Sequence, residues 1–430
     1  MYIYRETQNK IQKFFEQTQP AGLILSGIVG CGKTTLIENQ IQLWASHYEV
    51  FRFSGDSTQF RQAVRDNSEY LYDYVSSRTG KSALIFVDEV QKCEEVFDAI
   101  KIAFDRGKFS FIISGSNPAY LATIARRRLQ RRTDFQVLMP ISMSELVSHQ
   151  GYLSPSDTFK FAQILWSETE ITKKHIPQIT LSDKLISLSR EYLTYGGLPL
   201  SLLAKGREQK LTQIRMTVER GFELMSVDNN SLADTVRIEL ANLHSKEFAY
   251  KNIFEKTRTR RREEINKVID QLINHGYLVR KKPLIIEGDR TSYLSIFSYT
   301  DPGIVSYLTG LYDWQEIAGF RVEGYVHSRL VHFVSNSPLK ASLHYYKPYT
   351  IDVNDKIKYQ EGEVDFIFQH GHRMIPIEVK ASIDIGSINL EPIKSFMIKY
   401  PKVPFGIIIY GGVPQFNKSK NLLFWPYWLL

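Results

Sequence analysis

The sequence predicts an α/β protein of more than one domain, with a parallel sheet near its start and a second α/β domain at its end. Three stretches carry this reading: "GLILSGIVGCGKTTLIENQ", "SALIFVDEV" and "GEVDFIFQHGHRMIPIEVK". The first two are short apolar runs ending in glycine or acid, as strands buried on both faces of a parallel sheet do. The third alternates apolar and polar residues about Gly371 and His372, the pattern of a hairpin. The 430 residues leave room for two or three cores at roughly 100 to 200 residues each.

Composition narrows the function classes. Hydrophobic residues make up 43% of the chain, too many for a disordered protein. Lys and Arg outnumber Asp and Glu by 54 to 46, a net charge of +8 that suits a polyanionic partner. Cys31 and Cys93 are too few for a disulfide framework or a zinc cluster and fit a reducing cytoplasm. The opening "MYIYRETQNK" lacks a signal-peptide core, and no uncharged run approaches the ~18 residues that span a bilayer, so no membrane partner is expected. The apolar "LLFWPYWLL", interrupted by Pro426, is expected as a strand tucked into a core.

The first chemical signal is G-x-x-x-x-G-K-[ST] at Gly27, Gly32, Lys33 and Thr34, with Gly30 inside it. It follows a strand over residues 23 to 26 and opens a helix, the context a phosphate-binding P-loop requires. Glycines let backbone N–H groups turn inward around phosphates, and the helix N-terminus adds positive charge. Lys33 reaches the β and γ oxygens and Thr34 ligates Mg²⁺, so the implied cofactors are ATP and Mg²⁺. Asp88 and Glu89, at the end of the strand over residues 83 to 87, supply the metal-side carboxylate and the base for the attacking water. "FSFIISGSN" is a third strand, placing Ser114, Ser116 and Asn117 near the γ-phosphate if it lies between the other two. Beyond it, Arg126 to Arg132 hold five arginines in seven positions. They read as a solvated helix face, a contact with a polyanion or an acidic neighbour, or a source of an arginine finger for a neighbouring subunit.

Residues 141–229 read as a helical lid. Residues 230–312 read as three successive helices and a wing, "VRKKPLIIEGDRTSYLSIFSYT", in the order of a winged helix. Arg258, Arg260, Arg261 and Arg262 would then meet nucleic-acid phosphates.

The C-terminal hairpin has a testable register. A two-residue turn at Gly371 and His372 pairs Val364 with Val379, Phe366 with Ile377 and Phe368 with Ile375, giving an apolar face. The other face then sets Asp365 opposite Glu378 and Glu363 opposite Lys380. Directly opposed carboxylates destabilise a sheet unless a proton, a cation or a metal offsets them. Asp365 and Glu378 offer oxygen ligands for Mg²⁺ or Mn²⁺, with Lys380 placed to steady a charged transition state. An ordinary Glu363–Lys380 salt bridge is the alternative. His327, His370 and His372 lack paired spacing and are expected at the surface.

The P-loop, "VDEVQ", "GSN", "EYLTYGGLPL" at 191–200, "SYTDPGIVSYLTG" at 298–310 and the hairpin together resemble a prokaryotic family of AAA-type ATPases. Its uncharacterised C-terminal domain resembles restriction endonucleases. The resemblance implies that Pro199 sits against the adenine and that Arg132, or its neighbour Arg131, matches the arginine preceding the family's "PLSF"-like segment, here "PISMSEL". The Asp365, Glu378 and Lys380 set is similar to the D…E-x-K core of PD-(D/E)XK nucleases, which implies a helical glutamate upstream, and Glu323 fits that role. The expected architecture is a P-loop ATPase core at 1–140, a helical lid at 141–229, a winged helix at 230–312 and a nuclease-like α/β domain at 313–430. The expected function is ATP hydrolysis with DNA binding and metal-dependent phosphodiester cleavage, in a cytoplasmic protein that forms homo-oligomers or meets a partner protein. The alternatives are a non-cutting nucleic-acid-binding ATPase and a nucleotide-dependent switch in regulation or defence.

Overall fold

The computed structural model describes residues 2–430 apart from 45, 81, 155–156, 158–159, 168–170, 172–174, 226–229, 258–260, 338, 352–356 and 360–361. The chain forms two compact units. The first comprises residues 1–140 with 216–225 and 271–277, the second residues 141–215, 226–270 and 278–430.

The first unit is a doubly covered parallel sheet. Its strands are β1 (Gly22–Ser26), β2 (Glu49–Ser54), β3 (Ala83–Asp88), β4 (Ser110–Gly115) and β5 (Thr133–Val137), in the order β2-β3-β4-β1-β5. All neighbours run parallel. Strands β1 and β4 are buried along their whole length, which explains their unbroken apolar runs. Helices α1 (Gln8–Phe15), α2 (Lys33–Trp44), α3 (Thr58–Asp66), α4 (Tyr70–Ser76), α5 (Val96–Gly107) and α6 (Pro118–Arg128) connect or flank them. Strand β4 lies between β3 and β1, the condition under which the sequence placed its polar end near the γ-phosphate.

The second unit opens with helices α7 (Met143–His149), α8 (Lys160–Trp166), α9 (Asp183–Tyr195), α10 (Pro199–Leu203) and α11 (Arg207–Glu223), the last running on into the first unit. Then come α12 (Asn230–Asn242), β6 (Glu247–Phe248), α13 (Lys251–Phe254), α14 (Arg262–Asn274), β7 (Leu278–Pro283), β8 (Ser295–Tyr299), α15 (Pro302–Thr309) and α16 (Trp314–Ser335). The last part holds β9 (Ser342–Tyr346), β10 (Tyr349–Ile351), β11 (Ile357–Tyr359), β12 (Val364–His370), β13 (Arg373–Val379), α17 (Glu391–Lys399), β14 (Gly406–Tyr410), β15 (Gln415–Asn417) and β16 (Leu422–Pro426).

Three helices and a β7–β8 hairpin occur over the residues where a winged helix was expected, although α13 is only four residues long. The hairpin does not stand apart. Lys282 and Pro283 of β7 pair in parallel with His344 and Tyr345 of β9, joining all but β10 and β11, which pair with each other, into one nine-stranded sheet, β15-β16-β14-β13-β12-β9-β7-β8-β6. The hairpin register is the one the sequence predicted, with Phe366 opposite Ile377 and Phe368 opposite Ile375, and a turn whose Gly371 has φ +58. The C-terminal apolar run is β16, parallel to β14 and wholly buried, with Trp425 and Trp428 among the largest enclosed side chains. Expectation fails at His327, which is fully buried on α16 with Nδ1 2.8 Å from Ser298 Oγ and its ring beside Phe366. Burial holds its imidazole well below the ordinary range.

One buried carboxylate joins "YGGLP" to "TDPG". Asp301 accepts N–H groups from Gly197 at 2.6 Å and Gly303 at 2.8 Å, capping α15, and a third from Ile304. The double glycine is required there: a Cβ on Gly196 would fall 1.9 Å from Asp301 Oδ1, and one on Gly197 2.0 Å from the Ile141 carbonyl. Ser306 Oγ donates to the Thr194 carbonyl at 2.6 Å, and Arg321 donates to the Pro302 carbonyl at 2.7 Å. Burial pushes the Asp301 carboxyl up to about 6 from 3.8, against its backbone N–H donors. Because the folded value lies above the unfolded one, this group's stabilising contribution is complete below 3.8 and lost as pH rises through about 6. Wild type should therefore lose roughly 3 kcal/mol relative to Asp301→Asn between pH 4 and pH 7.5, measured by urea unfolding. Asp301→Ala, which strands the donors, should cost roughly 3 kcal/mol at neutral pH.

Candidate functional site

In the first unit the loop after β1 has the shape its sequence implies. Gly30 and Gly32 adopt φ +76 and +96, a left-handed backbone that side chains disfavour. Lys33, nearly buried, donates from Nζ to the Gly27 and Ile28 carbonyls at 3.0 and 3.1 Å. Thr34, in the first turn of α2, donates to Asp88 Oδ2 at 2.8 Å, and Ser114 donates to Asp88 Oδ1. The fold thus brings the P-loop hydroxyl and the β3 carboxylate together across 54 residues. Two oxygens so placed suit a hard cation such as Mg²⁺. Glu89 sits at φ 51, ψ 43, a left-handed position for a non-glycine residue, and its carboxylate accepts from Gln91 Nε2 at 2.5 Å. Gln91 also donates to Ser116 Oγ at 3.0 Å.

Asn117 caps α6 by accepting from Tyr120 N, and its Nδ2 lies 3.2 Å from His275 Nε2. Burial lowers the His275 pKa, so the ring is neutral and can accept that amide proton. Two contributors here escaped the sequence reading. His275 belongs to a segment 158 residues further on. Arg5 donates to the carbonyls of Cys31, inside the loop, at 3.1 Å and of Met139 at 2.5 Å. Neither motif nor periodicity marks them.

Arg132 lies elsewhere. It precedes β5, whose Thr133 pairs with Gly22 at the start of β1, whereas the P-loop follows Ser26 at the other end. The separation is one strand length, roughly 17 Å. Its guanidinium is held by Asp105 through two bonds of 2.8 and 3.0 Å. Arg132 therefore does not reach the P-loop of its own chain. Arg128 is similarly engaged with Glu94 and Asp98, while Arg126, Arg127 and Arg131 are exposed. Pro199 opens α10 in the second unit.

Residues 19–147 match a family described as an AAA domain. The first unit carries an AAA-type P-loop ATPase domain. Residues 318–430 match a domain of unknown function, DUF4143. No curated protein matches the chain. Solved structures similar to it include Drosophila ORC bound to DNA, at 12% identity over 66% of this chain and 89% of that one with a TM-score of 0.33. AMPPCP-bound DnaA from Aquifex aeolicus is 13% identical over 62% and 77%, TM-score 0.27. RuvB from Thermotoga maritima is 15% identical over 66% and 93%, TM-score 0.31.

The second unit gathers charge around its hairpin. Asp365 Oδ2 accepts from Val379 N at 2.7 Å, and Lys380 Nζ lies 2.6 Å from Glu378 Oε1. Glu363 does not pair with Lys380 as the hairpin register had suggested; it lies 3.5 Å from Lys347, because Lys380 turns to Glu378 two residues back. Glu323, on α16, is bonded at 2.9 Å by Lys281 of β7. Lys281 is 1% exposed, also donates to the Asp365 carbonyl at 3.0 Å, and lies 3.8 Å over the Phe366 ring. The β12–β9 register shifts between Val364 and Ile367, the interval that holds this carbonyl.

Lys281 is the residue that sequence reasoning missed. The available signal was its place at the centre of the Val279, Lys281, Pro283 face of a strand whose other long cations point outward. Burial raises Glu378 to about 8 and Glu323 to about 7, with Asp365 reinforcing both and Lys380 and Lys281 respectively opposing. Glu378 Oε2 is buried without a hydrogen-bond partner. Yet among the described residues no three His, Cys, Asp or Glu side chains are placed to hold one metal ion. The carboxylates fit Mg²⁺ in chemistry but, with lysines between them, not in arrangement. Lys281→Met should lower stability by roughly 2 to 4 kcal/mol, and adding Glu323→Gln should restore more than half of it, measured by denaturant unfolding.

Proposed function

We propose that the protein is an ATP-hydrolysing AAA-type ATPase that acts on nucleic acid, DNA foremost. The contact between Thr34 and Asp88, with Glu89 beside it at the end of β3, carries the ATPase half of this reading. The Gly27 to Thr34 loop wraps the phosphates, Lys33 balances their charge, and Thr34 with Asp88 holds the Mg²⁺ that accompanies ATP. That ion would neutralise charge on the β and γ oxygens. Glu89 takes the proton of the attacking water, Asn117 orients the γ-phosphate side, and Pro199 meets the adenine. The nucleic-acid half is supported by the +8 net charge and by the order α12, α13, α14 and hairpin, which is that of a winged helix. Arg261 is largely exposed, and Arg262 lies over the Tyr250 ring, while Arg258 and Arg260 fall outside the described residues. In a homo-oligomer, the exposed Arg126 and Arg127 in the last turn of α6 and Arg131 beyond it, or Arg132 if freed from Asp105, would act on a neighbouring subunit's nucleotide. A cytoplasmic setting is supported by two buried, unbridged cysteines. No helix among the described residues is long and apolar enough to cross a membrane.

The Lys281–Glu323 bond favours a C-terminal domain that binds without cutting, because a lysine already compensates that carboxylate. The partnerless Glu378 Oε2 favours the second reading, cleavage of phosphodiesters at Glu323, Asp365, Glu378 and Lys380 with Mg²⁺ or Mn²⁺. Lys33→Ala should abolish ATP turnover, and Glu89→Gln should keep nucleotide binding while slowing turnover at least ~100-fold. Unchanged turnover in Glu89→Gln would remove the assigned base. Linear and circular DNA incubated with either metal should stay intact but stimulate ATP hydrolysis. Cleavage that Asp365→Ala abolishes would establish the second reading instead.

A further inference from the structure

The second unit holds a cavity of about 400 Å³ between α9, the start of α11 and the segment before α16. Its volume falls within the ~300 to 1,000 Å³ usual for small-molecule sites. None of the P-loop or hairpin residues discussed above lines it.

Three cations converge there. Lys210, nearly buried, is neutralised by Glu191 at 2.6 Å. Arg190 and Arg207 have no carboxylate partner among the described residues, and both lie over aromatic rings, Arg190 5.8 Å from Trp314 and Arg207 5.0 Å from Tyr312. Tyr312 is itself stacked on Tyr195 at 6.4 Å, and Lys210 lies 5.6 Å over Tyr195. Ring faces thus hold the guanidinium groups without neutralising them, and the cavity keeps two uncompensated positive charges.

We propose that this cavity binds a small phosphorylated anion carrying about two negative charges. Guanidinium groups bond phosphate oxygens in pairs, and two of them in one concavity match a terminal phosphate or a pyrophosphate. A nucleic-acid backbone would call for a basic stripe running across the surface. Here the charges gather at one open concavity, with Glu191 at its wall.

The test uses the full chain carrying Lys33→Ala, titrated calorimetrically with inorganic pyrophosphate and, separately, with AMP at low ionic strength. One equivalent of at least one probe should bind, and Arg190→Ser/Arg207→Ser on the same background should weaken it at least ~10-fold. Both arginines are exposed, so the melting temperature should hold, and Arg190→Lys/Arg207→Lys, which keeps the charge but loses the paired bonds, should bind more weakly than the parent and more tightly than the serine pair. The proposal is overturned if neither probe binds, or if the serine pair binds as tightly as its parent. It is likewise overturned if only single-stranded DNA binds and the serine pair loses it, which would make the cavity part of a nucleic-acid surface.

Discussion

The second unit depends on the burial of one charge. A carboxylate taken out of water is costly unless donors surround it, and Asp301 meets this with backbone N–H groups from Gly197, Gly303 and Ile304. Satisfying it fixes the loop after α9 against the first turn of α15. Arg321 then extends the joint: fully buried, with burial pulling it down to about 9 against Asp301, it ties α16 to the Pro302 carbonyl and, at 3.3 Å, to that of Leu311. Glu323 stands two residues further along the same helix. The placement of Glu323 and the end of α9 that lines the cationic cavity thus trace back to one carboxylate.

In the ATPase domain the left-handed backbone falls at the chemistry, as well as at Lys108 and Arg131 away from it. Besides the left-handed glycines of the P-loop, Glu89 holds a left-handed backbone. A residue kept there costs of order 1 kcal/mol or more and persists only where its surroundings enforce it. Gly55 is part of that enforcement, since any Cβ on it would meet the Glu89 carbonyl at 2.2 Å. The turn carries the Glu89 side chain off the strand direction and into the network of Gln91, Ser116 and β4.

Around the hairpin, electrostatics is balanced by lysines rather than by strain. Lys281, Lys347 and Lys380 each pair with one of Glu323, Glu363 and Glu378, while Asp365 takes a backbone N–H. Opposed carboxylates in a sheet need an offset, and lysines supply most of it. Glu378 Oε2 is the exception, and Phe366, under Lys281, shows how an apolar face can still seat a cation.

Local patterns determined much of this in advance. The P-loop, the β3 carboxylates and the hairpin register follow from glycine placement and alternation, which act between near neighbours and leave a trace in spacing. So did the buried C-terminal strand, whereas the position of β4 was only a condition that the sheet order met. The sequence also held "GGLP" and "TDPG", but only the folded chain joins them through Asp301, about 100 residues apart by the Gly197 bond. Long-range partners leave no periodic mark: Arg5 on the P-loop, His275 at Asn117, Arg132 on Asp105 and Lys281 among the carboxylates were decided by tertiary structure. In each case a charged or polar group took the partner that folding brought within reach; for Arg5 and Lys281, both buried, an unpaired group would have been costly.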